Sequence, residues 1–183
     1  GMSSMVPAIG LIVLALGLQR TTGPEALGTA VYLISLLENV DPLWVPLAVF
    51  GVAAASAMAT GTSYGTMAIL LPVAVPLAAA TSAGLDAAPL ILLLSTGAVL
   101  DGAVYGDHCS PISDTTMLSS IGAGSDHMDH VRTQLPYATL AMGVAAVLGY
   151  VALPRLGFSP WLTYLAGVPI LAAVMWLVGR RID

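Results

Sequence analysis

The stretch PLWVPLAVFGVAAASAMATGTSYGTMAILLPVAVPLAAATSAGL, residues 42–85, runs for 44 residues without a charge. A helix needs roughly 20 mainly apolar residues to cross a bilayer core of about 30 Å, so this stretch suffices for two crossings. Further uncharged runs occupy 1–19, 133–154 and 156–179, with 19, 22 and 24 residues, each long enough for one. Of the 183 residues 57% are hydrophobic and 8% charged, and the mean hydropathy is +0.91. A soluble domain carries about 25% charged residues to face water, which this composition cannot supply. Helices satisfy their own backbone hydrogen bonds in lipid, and the aliphatic runs lack the alternation of a transmembrane β-barrel. The reading is an all-α polytopic membrane protein with about five or six membrane segments.

The same counts exclude other classes. One cysteine, Cys109, forms no internal disulfide, which rules out a stapled secreted domain. Five arginines, no lysine and a net charge of −5 leave nucleic-acid binding without electrostatic support. No basic region or small-residue cleavage site marks a signal peptide at the start. Gly1 before Met2 suggests a tag scar or a chain cut from something longer.

Along the chain, a first span is expected from Met5 to Leu18, ended by Arg20, Thr21, Thr22, Gly23 and Pro24. Residues 25–38 read as a short interfacial helix with Leu27, Val31, Ile34 and Leu37 on one side. The centre of the 42–85 stretch, residues 60–66, is polar and glycine-bearing. It reads equally as a tight loop between two crossings or as a helix broken inside the membrane, where irregular backbone must face protein or water. A second polar centre at 106–116 lies between uncharged segments of 14 and 11 residues, 87–100 and 115–125. Two short apolar segments around a proline-containing centre are the pattern of a discontinuous or re-entrant helix, against the plainer reading of a loop between two weak helices. The run Asp126–His130 reads as a solvated loop and helix entry, and two plain spans follow, Leu135–Leu153 and Pro160–Val178. The closing pair Arg180–Arg181 favours a cytoplasmic C-terminal side, with Arg132 on the same side and Arg155 opposite.

Acids within apolar sequence are costly, so an intramembrane carboxylate is a functional candidate. Asp107 and Asp114 are seven residues apart, two turns of an unbroken helix, although Pro111 between them opposes continuity. The segment gathers two carboxylates with hydroxyls from Ser110, Ser113, Thr115 and Thr116. That is a hard-oxygen set, suited to sodium or to a proton rather than to a soft metal. Burial raises a carboxylate's pKa and a bound cation lowers it, so one carboxylate serves both ions in competition. Asp101 reads as a cavity wall, and Tyr64 as a packing residue or a gate. His108 and Cys109 lack a second ligand pair for zinc. His127 and His130 are candidate pH sensors, and His108 with Ser110 or Asp114 is a remote hydrolase alternative.

Two stretches, GTSYGTMAILLPVAVPLA at 61–78 and GAVYGDHCSPISDTTMLSSIGAGSDHMDHVRTQLPYA at 102–138, make residues 1–183 resemble the C-terminal part of the NhaC family of sodium/proton antiporters. The resemblance implies a multi-pass cell inner-membrane protein of the ion-transporter superfamily, not an enzyme and without cofactor, that exchanges sodium ions for protons. It also implies one half of an inverted-repeat transporter, partnered by a missing N-terminal half or a second copy. The family's polar motifs fall on Thr62, Ser63 and Thr66, and on Asp107, Ser110, Ser113, Asp114 and Thr115; assigning the ion to them is an inference from their chemistry. Similar sequences also exchange malate and lactate, a branch that the scarcity of arginine near the motifs disfavours.

Overall fold

The computed structural model describes residues 41–157 and 159–178, with isolated positions 13, 17 and 21 before them. The expected span at 5–18, the interfacial helix at 25–38 and the arginine pair at 180–181 lie outside the described residues. Helix follows helix, with no strand among the described residues. A 3-10 turn, Pro42–Trp44, leads into α1 (Val45–Thr60). Then come α2 (Ser63–Thr81), α3 (Ala88–Cys109) and the short α4 (Asp114–Ala123). The next rod comprises α5 (His127–Ala145), a π-helical turn (Ala146–Ala152) and α6 (Leu153–Leu156), and α7 (Pro160–Val178) closes the bundle. Five of these helices are long and apolar enough to cross a membrane, and the chain is an all-α polytopic membrane protein.

The centre of the bundle is a parallel pair, α1 against α3. A Cβ added at Gly102 would meet the Phe50 carbonyl and Ala53, and one at Gly106 would meet the Ala54 carbonyl, Ala57 and the Met58 nitrogen. The contacts advance together along both helices, so the two run in the same direction. Gly102 and Gly106 form the small-xxx-small pattern that lets membrane helices approach backbone to backbone, and Ala53 and Ala57 answer it from α1. Between them α2 returns antiparallel. It starts beside the C-terminal ends of α1 and α3 and ends in the core cluster, where Ala74 and Ala78 join Val45, Val49, Ile91, Ala98 and Val99.

Several boundaries differ from the sequence reading. α3 extends beyond the uncharged segment 87–100, through Asp101 and Asp107, as one 22-residue helix. Both acids have hydrogen-bond partners on neighbouring elements, so neither forces the helix to end. At 60–66 the structure takes the tight-loop alternative: the connection is a two-residue turn, Gly61–Thr62, between two helices of 16 and 19 residues. The run from Asp126 is not a loop: the Asp126 carboxylate accepts from the Asp129 nitrogen at 3.0 Å, capping α5, which starts at His127. The last connection is tied back to the start of α1: Arg155 pairs with Asp41 at 3.0 Å, and its guanidinium lies 4.1 Å above the Trp44 ring. Thus the Arg155–Asp41 pair marks one end of the bundle, and the polar breaks at 60–66 and 106–116 gather at the opposite end.

Candidate functional site

Local chemistry stops the helices where the site forms. α1 ends on Gly61 in the left-handed region, φ 68°, a conformation that only glycine adopts cheaply. A side chain there would also collide with the carbonyl of Ile112, at 2.9 Å. Gly61 therefore both ends α1 and lets the 110–113 segment lie against the turn. Thr62 caps α2, its Oγ1 accepting from the Gly65 nitrogen at 3.2 Å. After Cys109 the chain leaves helical geometry through Ser110, Pro111 and Ile112. Ser110 Oγ, fully buried, donates to the Met58 carbonyl at 2.8 Å, fixing the segment to α1. Ser113 then caps α4, accepting from the Thr116 nitrogen at 3.4 Å.

These turns converge on Asp107, in the last turn of α3 and only 4% exposed. Its Oδ1 accepts from Ser113 Oγ at 2.7 Å. Oδ2 accepts from Thr115 Oγ1 at 2.9 Å and, more loosely, from Ser63 Oγ at 3.3 Å. Ser113 Oγ and Thr115 Oγ1 lie 2.8 Å from each other. Thr116 Oγ1 donates to the main-chain carbonyl of Asp107 at 3.3 Å. Two segments, one 44 residues away and one just beyond the break, thus surround one carboxylate with hydroxyls. Hydrogen bonds to a charged group are worth roughly 1.5–3 kcal/mol each. Three of them offset several kcal/mol, the order of the penalty for burying an ion.

The sequence-level candidates separate into those that reach Asp107 and those that do not. Ser63, Ser113 and Thr115 touch the carboxylate. Thr62, Thr66 and Ser110 build the backbone around it; Thr66 Oγ1 donates to the Thr62 carbonyl at 2.9 Å. Asp114 stands apart, exposed at the first position of α4 with no hydrogen bond or ion pair among the described residues. Its neighbours on either side turn toward Asp107, which sends it outward, where an acid favours the positive end of the helix dipole. Tyr64, expected to pack or gate, is 77% exposed. The hydrolase pairing is not formed, because the Ser110 proton goes to Met58 and His108 is exposed. No three histidine, cysteine, aspartate or glutamate side chains converge among the described residues, and the donor set at Asp107 is all oxygen.

Three partnerships escaped the sequence reading. His127 bridges the break, its Nε2 2.7 Å from the Pro111 carbonyl and its Nδ1 3.1 Å from Ser120 Oγ. Asp101 accepts from the Tyr150 hydroxyl at 2.5 Å. Thr116 was noted only as one hydroxyl among several. Contacts across 49 or 16 residues leave no trace in local spacing; the glycine pair 102/106, which places α1, was readable.

The family model described as the Na+/H+ antiporter family matches residues 1–153. An uncharacterized protein of Haemophilus influenzae is 45% identical over 152 residues, 82% of this chain and 28% of that protein. The malate-2H(+)/Na(+)-lactate antiporter of Bacillus subtilis is 37% identical over 112 residues, 61% of this chain and 22% of its own. The Na(+)/H(+) antiporter NhaC of Alkalihalophilus pseudofirmus is 30% identical over 122 residues, 65% of this chain and 24% of its own. The chain therefore spans less than a third of the length of these curated relatives. No solved structure matches it.

Proposed function

The chain belongs to the Na+/H+ antiporter family, and from that premise we propose that the protein it forms exchanges sodium ions for protons across the cell inner membrane, with Asp107 at the exchange site. The observation that carries this reading is a count of protons. Four oxygen pairs around Asp107 lie at hydrogen-bond distance, from 2.7 to 3.3 Å, while Ser63, Ser113 and Thr115 bring three hydroxyl protons. A fourth proton on the carboxyl completes the set: Asp107 donates to Ser113, Ser113 to Thr115, and Thr115 back to the other carboxyl oxygen. Once that proton leaves, one oxygen pair faces itself with lone pairs only. A sodium ion restores the balance, because it takes the carboxylate charge and the lone pairs together. Proton and sodium thus use the same oxygens and exclude one another, which is the requirement for exchange.

Alternating access moves one bundle against another around a fixed site. This chain supplies the site-bearing part, and the rest of the protein, or a second copy, supplies the part that moves against it. Vesicles containing the full-length protein test the reading: sodium dissipates an imposed proton gradient in the wild type, and Asp107→Asn abolishes the effect. Acidification weakens apparent sodium affinity by up to about tenfold per pH unit where proton and sodium compete one for one. Undiminished exchange in Asp107→Asn overturns the assignment.

The Bacillus subtilis relative supports a second reading, proton- and sodium-coupled exchange of small organic acids. Sodium-driven uptake of labelled malate distinguishes it, since sodium/proton exchange alone moves none.

A further inference from the structure

Asp107 does not account for every carboxylate at membrane depth. Asp101 lies six residues earlier on α3, about 9 Å along the axis at 1.5 Å per residue, and thus deeper into the span. It is exposed, and the buried Tyr150 hydroxyl donates to its Oδ2. An acid at that depth is costly against lipid and faces protein or a watery cavity. Tyr150 is carried by the π-helical turn Ala146–Ala152, and such turns are frequent at functional sites. Phe50 of α1 braces its ring, with centroids 5.6 Å apart.

From Asp101 toward the Asp107 end, the seam between α3 and α5 is polar at each turn. Tyr105 Oη and Thr139 Oγ1 are 3.0 Å apart, with either able to donate. One turn on, Gln134 Nε2 donates to the His108 carbonyl at 3.2 Å. The parallel seam between α1 and α3 is by contrast made of glycine and alanine. Ionisable groups facing Asp101 are few: Tyr150, with Tyr164 of α7 beyond it, and Tyr105 one turn along α3, while α1 carries none.

We propose that Asp101 is a second protonation site of the exchanger, held by the Tyr150 hydroxyl and linked to the Asp107 end by the polar α3–α5 seam. The proposal rests on the sodium/proton reading of Asp107. The ligand is a proton taken from water: it binds the free carboxylate oxygen, Tyr150 continues to donate to the other, and its return to water leaves the carboxylate ionised. The site adds to the protons carried per cycle without touching the sodium ligands.

Two measurements on the full-length protein test this. In vesicles, Asp101→Asn lowers the protons moved per sodium ion, read from the gradient at which net flux reverses, and Tyr150→Phe displaces the pH profile of exchange. An unchanged ratio in D101N together with an unchanged profile in Y150F overturns the proposal. In the purified protein, the infrared difference spectrum on acidification loses one carboxyl C=O band in D101N and shows that band displaced in Y150F. Spectra identical to wild type overturn it as well. Should D101N not accumulate, the Y150F band and profile decide alone. Absence of sodium-dependent proton flux in the wild type would refute the parent reading, whereas the infrared bands still decide Asp101.

Discussion

The backbone contact between α1 and α3 makes Gly106→Ala a stringent test of the packing. An alanine Cβ at that position would press hardest on the Ala54 carbonyl oxygen, and would also lie 2.7 Å from the Met58 nitrogen and 2.8 Å from the Ala57 Cβ, where ordinary contact begins at 3.4 Å. The tightest obstruction is main chain, so no rotamer change relieves it, and the helices must separate by about 1 Å or more. The Ser110–Met58 hydrogen bond, now 2.8 Å, would be stretched past about 3.5 Å, where little of it remains. Overpacking costs about 1–3 kcal/mol and the hydrogen bond about 1 more. A total of about 2–4 kcal/mol corresponds to a fall of several degrees in Tm, the shift per kcal/mol shrinking as the protein that unfolds grows longer. Cys109 supplies the assay, because its thiol is 4% exposed and becomes reactive to a maleimide dye on unfolding. The measurement uses the full-length protein with any other cysteines replaced. Gly51→Ala is the control: nothing lies within 4 Å of its added Cβ, so the change stabilises α1 by about 0.5–1 kcal/mol. A wild-type midpoint in G106A, or an equal loss in G51A, would refute the close-packed parallel pair.

Ser95 Oγ is buried on α3 without a partner among the described residues, so Ser95→Ala should raise the melting midpoint, by about 1 kcal/mol in stability. A lower midpoint would mean that the hydroxyl is bonded to something else in the intact protein. Ser113→Ala removes both the α4 cap and a donor to Asp107. It should cost about 1 kcal/mol from the cap and weaken sodium affinity, with Ser113→Thr restoring both; equal behaviour of the two variants in sodium-titrated exchange would contradict the dual role. Arg155→Lys keeps an ion pair to Asp41 but loses the stack on Trp44. It should lower stability by about 0.5 kcal/mol, and the remaining pair should weaken with salt, as denaturation at two ionic strengths would reveal.

Helix content and span positions were legible because charge is so scarce that each acid or arginine stands out. What the sequence obscured was which acids end a helix. Asp101 and Asp107 interrupt the apolar run, yet each lies within α3, since Tyr150 and three hydroxyls satisfy them from elsewhere. The candidate site was half visible. The motif spacing pointed to Asp107, Ser113 and Thr115, but it treated Asp114 as their equal, because sequence order cannot tell the inward side of a capping turn from the outward one. Ser63 belongs to a second polar centre in the sequence, and the contact of Gly61 with Ile112, the Ser110–Met58 bond and the Ser63–Asp107 bond show why that centre belongs to the same site.

The glycine contacts between α1 and α3 also limit what can move. Two helices touching through main chain have no compressible side chains between them, so they tilt and translate as a single rigid rotor. Of the groups around Asp107, Ser63 follows that rotor through a two-residue turn, whereas Ser113 and Thr115 ride on α4, a ten-residue helix that His127 latches to α5. In an exchange cycle of the kind proposed, Asp107 and Ser63 therefore travel as one body, and a motion that opens the site falls between that body and the α4–α5 pair.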